Sequence, residues 1–108
     1  MVEVRVFRDS QKVIYGFQIS GHASFAKRGK DIVCAAISAI AENTINSIET
    51  FTSDPVEIEA VNEKEGFLHF RLGAVSKESG LLMDSFLLGM KQIAESYERN
   101  VKLEVEED

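Results

Sequence analysis

The run DIVCAAISAIAENTINSIETF, from Asp31 to Phe51, is where the chain changes its hydrophobic period. On either side of it, apolar residues recur at every second position. Within it, Val33, Ile37, Ile40, Thr44, Ile48 and Phe51 recur at three- and four-residue steps and form one stripe. A helix is therefore expected from Ile32 to about Phe51. Asp31 suits the N-cap, because its short carboxylate can accept from the unpaired amides of the first turn. The segment Ser53-Asp54-Pro55 ends the helix: Pro55 cannot continue it and disfavours helical backbone at Asp54.

Upstream of this run, Val2, Val4 and Val6 alternate with Glu3 and Arg5, the signature of a half-buried strand. Arg8-Asp9-Ser10-Gln11 reads as a polar turn whose side chains bond their own backbone. A second strand follows, with Val13, Tyr15, Phe17 and Ile19 sharing a parity, so the pair is expected to form a hairpin. Downstream, Val56, Ile58 and Ala60 alternate with Glu57 and Glu59, and Asn62 to Gly66 turns the chain. Leu68, Phe70 and Leu72 then alternate with Phe67, His69 and Arg71, giving a second hairpin. Ser76 suits the N-cap of a second helix with the stripe Leu82, Phe86, Met90, Ile93 and Tyr97, and Asn100 suits its exit. Val101, Leu103 and Val105 mark a last strand.

The expected order is ββαββαβ, an α+β fold. Clean alternation in the strands leaves one sheet face wet or only partly covered, with both helices packed on the other. The sheet is expected to be single and mainly antiparallel, with a mixed sheet left open. With 108 residues and no linker or low-complexity tract, residues 1–108 are expected to form a single domain.

Composition narrows the function classes. A hydrophobic share of 44% and a charged share of 28% are ordinary for a soluble globular protein. No apolar run approaches the roughly 20 residues that span a bilayer, and the first residues do not resemble a secretory signal. A cytoplasmic protein without a membrane partner is the expectation. A net charge of −6 argues against direct nucleic-acid binding and is compatible with a basic partner. One cysteine excludes an internal disulfide. With two separated histidines, it also makes a poor metal site, so neither metal nor cofactor is expected.

The chemistry on offer lies at and just before the first helix. Gly21-His22-Ala23 precedes a basic loop with Lys27, Arg28, Gly29 and Lys30, and the sole cysteine, Cys34, follows. With Asp31 as N-cap, Cys34 is the third helical residue, at the positive end of the helix dipole, which favours a thiolate. An imidazolium at His22 would favour it further and could protonate a leaving amine. Asp31, Cys34 and Ser38 stand three and four residues apart and share a helix face. Asp31 could orient His22, and Ser38 could donate to the histidine or to substrate. Plainer roles stand beside these: Cys34 as a structural thiol, His22 satisfying backbone at a strand end, Asp31 only capping, the basic residues a solvated loop. His69, in an alternating strand, reads as a surface or interface residue. The residues alone suggest a thiol nucleophile without identifying a substrate.

The combination Gly21-His22-Ala23 and Gly29-Lys30-Asp31-Ile32-Val33-Cys34-Ala35-Ala36 resembles the bacterial ribosomal-processing cysteine protease family, Prp, over essentially the whole chain. The resemblance implies an endopeptidase that removes a short N-terminal extension from the large-subunit ribosomal protein numbered twenty-seven, cutting after an aromatic residue. It implies Cys34 as nucleophile, His22 as general base and acid, and Asp31 and Ser38 in support. It also implies a homodimer, and a loop between His22 and Cys34 that orders around substrate. The alternative is a non-enzymatic ribosome-assembly or protein-binding module that uses the open sheet face.

Overall fold

The computed structural model describes residues 1–21, 31–61 and 66–108, with only the backbone of Asp31 and Val61. Its elements are β1 (Val2–Arg8), β2 (Ile14–Ser20), α1 (Asp31–Phe51), β3 (Val56–Val61), β4 (Phe67–Leu72), α2 (Lys77–Ser96) and β5 (Val101–Glu107). This is the expected ββαββαβ order.

The five strands form one sheet in the order β3-β4-β2-β1-β5. Both expected antiparallel strand pairs, β1–β2 and β3–β4, are present, and β2 joins them by pairing antiparallel with β4. The expected turn at Asn62 to Gly66 lies, but for Gly66, outside the described residues. β5 lies parallel to β1, so the sheet is mixed. The chain reaches β5 through α2, and a helical crossover is what a parallel neighbour requires.

The polar turn after β1 forms as expected around Asp9. Its Oδ1 accepts from the amides of Gln11 (2.8 Å) and Val13 (3.0 Å). In β2 the structure corrects the assumed parity. Phe7 pairs with Gly16 and Arg8 with Ile14, leaving Tyr15 as the extra residue of a β-bulge. The bulge puts Ile14 on the core face with Phe17 and Ile19, and sends Tyr15 to the outer face. Gly16 is required where β2 runs beside β4, since a Cβ there would lie 2.7 Å from the Phe70 carbonyl oxygen.

One continuous core unites Val2, Val4, Val6, Ile14, Phe17, Phe70, Leu72 and Val101 of the sheet with both helices. All these strand residues share a face, so both helices pack on one side. The helix faces are shifted from expectation. In α1, Val33, Ile37, Thr44 and Ile48 are buried as expected and Ile40 is partly so, but Ala41 and Ile45 join them. Phe51 is in phase with Val33 yet 73% exposed, because it lies beyond Ile48, the last α1 residue in the core.

In α2 the buried set is Ser79, Met83, Phe86, Leu87 and Met90. Leu82 and Ile93 are only partly buried, and Tyr97 is 36% exposed. Ser76 caps α2 as expected, accepting from the Ser79 amide. The helix exits at Tyr97, whose amide bonds the Ile93 carbonyl, rather than at Asn100.

The outer sheet face is partly covered by its own side chains. Phe7 stacks on Tyr15 and approaches His69, and Arg71 lies over the Tyr15 ring. Among the described residues, no helix is long and apolar enough to cross a membrane.

Candidate active site

α1 begins at Asp31 itself, so Cys34 is its fourth residue, one place later than an N-cap at Asp31 would make it. It remains in the first turn, where the helix dipole is positive. The side chain is half-buried and packs against the core cluster. Ser38 lies one turn further along, exposed on the same face.

These two residues open onto a cleft of about 320 Å³ whose far wall comes from the sheet. Cys34, Ile37, Ser38, Ala41 and Glu42 line the helix side. Ile19 and Gly21 of the β2 end, Gly66, Phe67 and Leu68 at the β4 start, and Val2 line the other. The cleft is mainly apolar, with the thiol at one end of the helix wall. Such a concave apolar site with a few polar groups is what a ligand pocket needs.

Two backbone features hold this corner of the sheet. Gly21 adopts φ +84°, a left-handed conformation that side chains resist. A Cβ there would also come within 2.6 Å of the Met1 carbonyl oxygen. The Gly21 amide donates to the Gly66 carbonyl (2.9 Å), tying the end of β2 to the start of β4 beside the cleft.

The structure thus brings together Cys34, Ser38 and Gly21. The backbone of Asp31 stands at the start of the same helix. Its side chain, and the whole of His22, Lys27, Arg28, Gly29 and Lys30, lie outside the described residues. His69 is excluded from this site by topology. It sits on the opposite sheet face, with Nδ1 3.3 Å from Gln18 Oε1 and its ring 5.9 Å from Phe7.

Several cleft residues escaped the sequence reading. Glu42 had a usable signal, since it continues the Cys34–Ser38 ladder by another four residues. Val2, Ile19, Phe67 and Leu68 had none, because only the strand order brings their ends to the helix.

The Cysteine protease Prp family matches residues 1–102. This chain belongs to that family. The ribosomal processing cysteine protease Prp of Staphylococcus aureus is 28% identical over 104 residues, covering 95% of this chain and 97% of its own. A crystal structure of that S. aureus protease with a covalently linked product peptide superposes with a TM-score of 0.88 at 27% identity. It covers 98% of this chain and all of its own. SMU.848 from Streptococcus mutans superposes with a TM-score of 0.89 at 25% identity, covering 100% of this chain and 96% of its own. Membership of Prp makes this chain one of a family of cysteine peptidases, and the chain has one cysteine with which to be one.

Proposed function

We propose that this chain is a site-specific cysteine endopeptidase, a single domain over residues 1–108, with Cys34 as nucleophile and His22 as general base and acid. The observation that carries the reading is the placement of Cys34. In a cysteine-protease family, the sole cysteine of the chain stands in the first turn of a long helix and lines an apolar cleft. The positive end of the helix favours the attacking thiolate.

The reaction is acyl transfer. The thiolate attacks the scissile carbonyl and forms a tetrahedral oxyanion, which amides of the first helical turn stabilise. The C–N bond then breaks as His22 protonates the departing amine. Water, deprotonated by the same histidine, hydrolyses the thioester and restores Cys34. Asp31 and Ser38 orient the histidine or the substrate, and Gly21, Lys27, Arg28, Gly29 and Lys30 contact the bound peptide. The mechanism requires no metal or cofactor.

The substrate is the N-terminal extension of the large-subunit ribosomal protein numbered twenty-seven, cut after an aromatic residue. Relatives named for ribosomal processing support the substrate class. The apolar cleft beside Cys34 supports a large apolar residue next to the cut, and the net charge of −6 suits a partner from a basic protein set. The protein acts in the cytoplasm as a homodimer, without direct contact with nucleic acid or membrane.

A peptide spanning such an extension tests the reading by mass spectrometry. Wild-type protein should cut once, after an aromatic residue, and Cys34→Ala should leave the peptide intact. A brief reaction should also trap the acyl group on Cys34. Equal cleavage by both proteins would overturn the assignment. No cleavage of any candidate extension would favour the binding module instead. Light scattering that found only the 12.0 kDa monomer would remove the homodimer.

A further inference from the structure

The cleft has two unlike walls. The sheet side is apolar, with Val2, Ile19, Phe67 and Leu68. The helix side carries a polar ladder at four-residue steps, Cys34, Ser38 and Glu42, with Ile37 and Ala41 between. A chain laid in this cleft therefore follows α1 for about two turns. Glu42 is exposed, and neither an ion pair nor a hydrogen bond from the described residues engages its carboxylate. It is the one acidic side chain among the described residues that line the cleft.

We propose that Glu42 is a specificity residue that selects a lysine or arginine on the substrate, about three or four residues from the scissile bond. This rests on the peptidase reading of Cys34. Cys34 and Glu42 are eight positions apart, which is about 12 Å along a helix. An extended peptide advances about 3.3 Å per residue, so its side chain reaches Glu42 about three or four residues from the bond held at Cys34. A basic side chain suits the position twice over. Its aliphatic stem covers apolar wall while its charged head meets the carboxylate at the solvent edge. The attraction is stronger there than in open water, because the cleft displaces solvent on one side.

Cleavable peptides that share one apolar scissile-site residue and carry a single lysine test this. The lysine is moved one position at a time from four residues before the cut to four after it. Wild-type protein should favour one placement, or two adjacent ones, at a separation of about three or four residues. The gain should be about three- to tenfold in KM with kcat little changed, and it should shrink as salt is raised. Glu42→Gln should abolish the preference, and Glu42→Lys should transfer it to a glutamate at the same placement.

An unchanged preference in Glu42→Gln, or no placement preference in wild type, overturns the role of Glu42. If no peptide is cut at all, the peptidase reading fails instead. Fluorescence anisotropy with the same peptides then decides Glu42 by itself. A placement-dependent affinity in Cys34→Ala that Cys34→Ala/Glu42→Gln lacks upholds it, and its absence removes it.

Discussion

Cys34 is half-buried and small, so its removal should cost chemistry rather than fold. Cys34→Ser should stay within about 1 kcal/mol of wild-type stability and lose at least about a thousandfold in kcat. Circular dichroism and a peptide assay check the two halves. Gly21 should behave in the opposite way. Gly21→Ala meets both a left-handed backbone and the Met1 carbonyl oxygen. It should destabilise the protein by about 1–3 kcal/mol in urea unfolding. At this scale the shared face of Cys34 and Ser38 was legible, because helical spacing alone sets it. Glu42 obeys the same rule, but nothing in the spacing says where the cleft ends.

At the scale of elements, α2 shows what periodicity leaves undetermined. Its doubled leucines, Leu81-Leu82 and Leu87-Leu88, let two adjacent stripes look equally apolar. The contact with α1 chooses between them. A Cβ on Gly89 would stand 3.0 Å from Ile40 Cδ1, so the helices approach closely there, and Met83, Phe86, Leu87 and Met90 turn inward. The start of α2 was legible, and it is anchored more firmly than a cap alone provides. Ser76 accepts from the Ser79 amide, while its own hydroxyl (2.7 Å) and amide (2.8 Å) donate to Asp54 Oδ2. Ser76→Ala should therefore destabilise by about 1–2 kcal/mol in chemical denaturation. In β2 the bulge at Tyr15 reverses the face of the residues before it, because strict alternation holds only along an uninterrupted ladder.

Across the whole molecule, Phe17 joins sheet to helix. It is fully buried, 4.0 Å between ring centroids from Phe86 and 5.2 Å from Phe70. Phe17→Ala should cost about 3–5 kcal/mol, a large part of the stability of a chain this size, and calorimetry should show it.

Acid should weaken the fold through groups that tie distant segments together. Hydrogen bonds from Ser79 and Ser76 hold the Asp54 carboxyl below its usual range. Lys12, with Arg8 nearby, does the same for Glu107 in β5. A carboxyl depressed in the folded state stabilises above its unfolded value and loses that contribution as pH falls through the folded one. Stability should therefore decline below about pH 4, and Asp54→Asn should flatten part of that decline in a pH series of thermal melts.

The sequence by itself determined the element order, the faces of β1 and β4, the Asp9 turn and the Ser76 cap. It also determined that any cysteine chemistry must use Cys34. All of these depend on neighbours within a few positions. Tertiary structure alone decided the parallel pairing of β5, the inward faces of both helices and the bulged register of β2. It also decided that Val2, Ile19, Phe67 and Leu68 meet α1 to form the cleft. These depend on contacts between residues far apart in the chain, where packing rather than local propensity selects the arrangement. The stretch from Gly21 to Ser38 shows both. Its residue types are local facts, but the cleft that Cys34 lines exists only because the end of β2 and the start of β4 come together beneath α1.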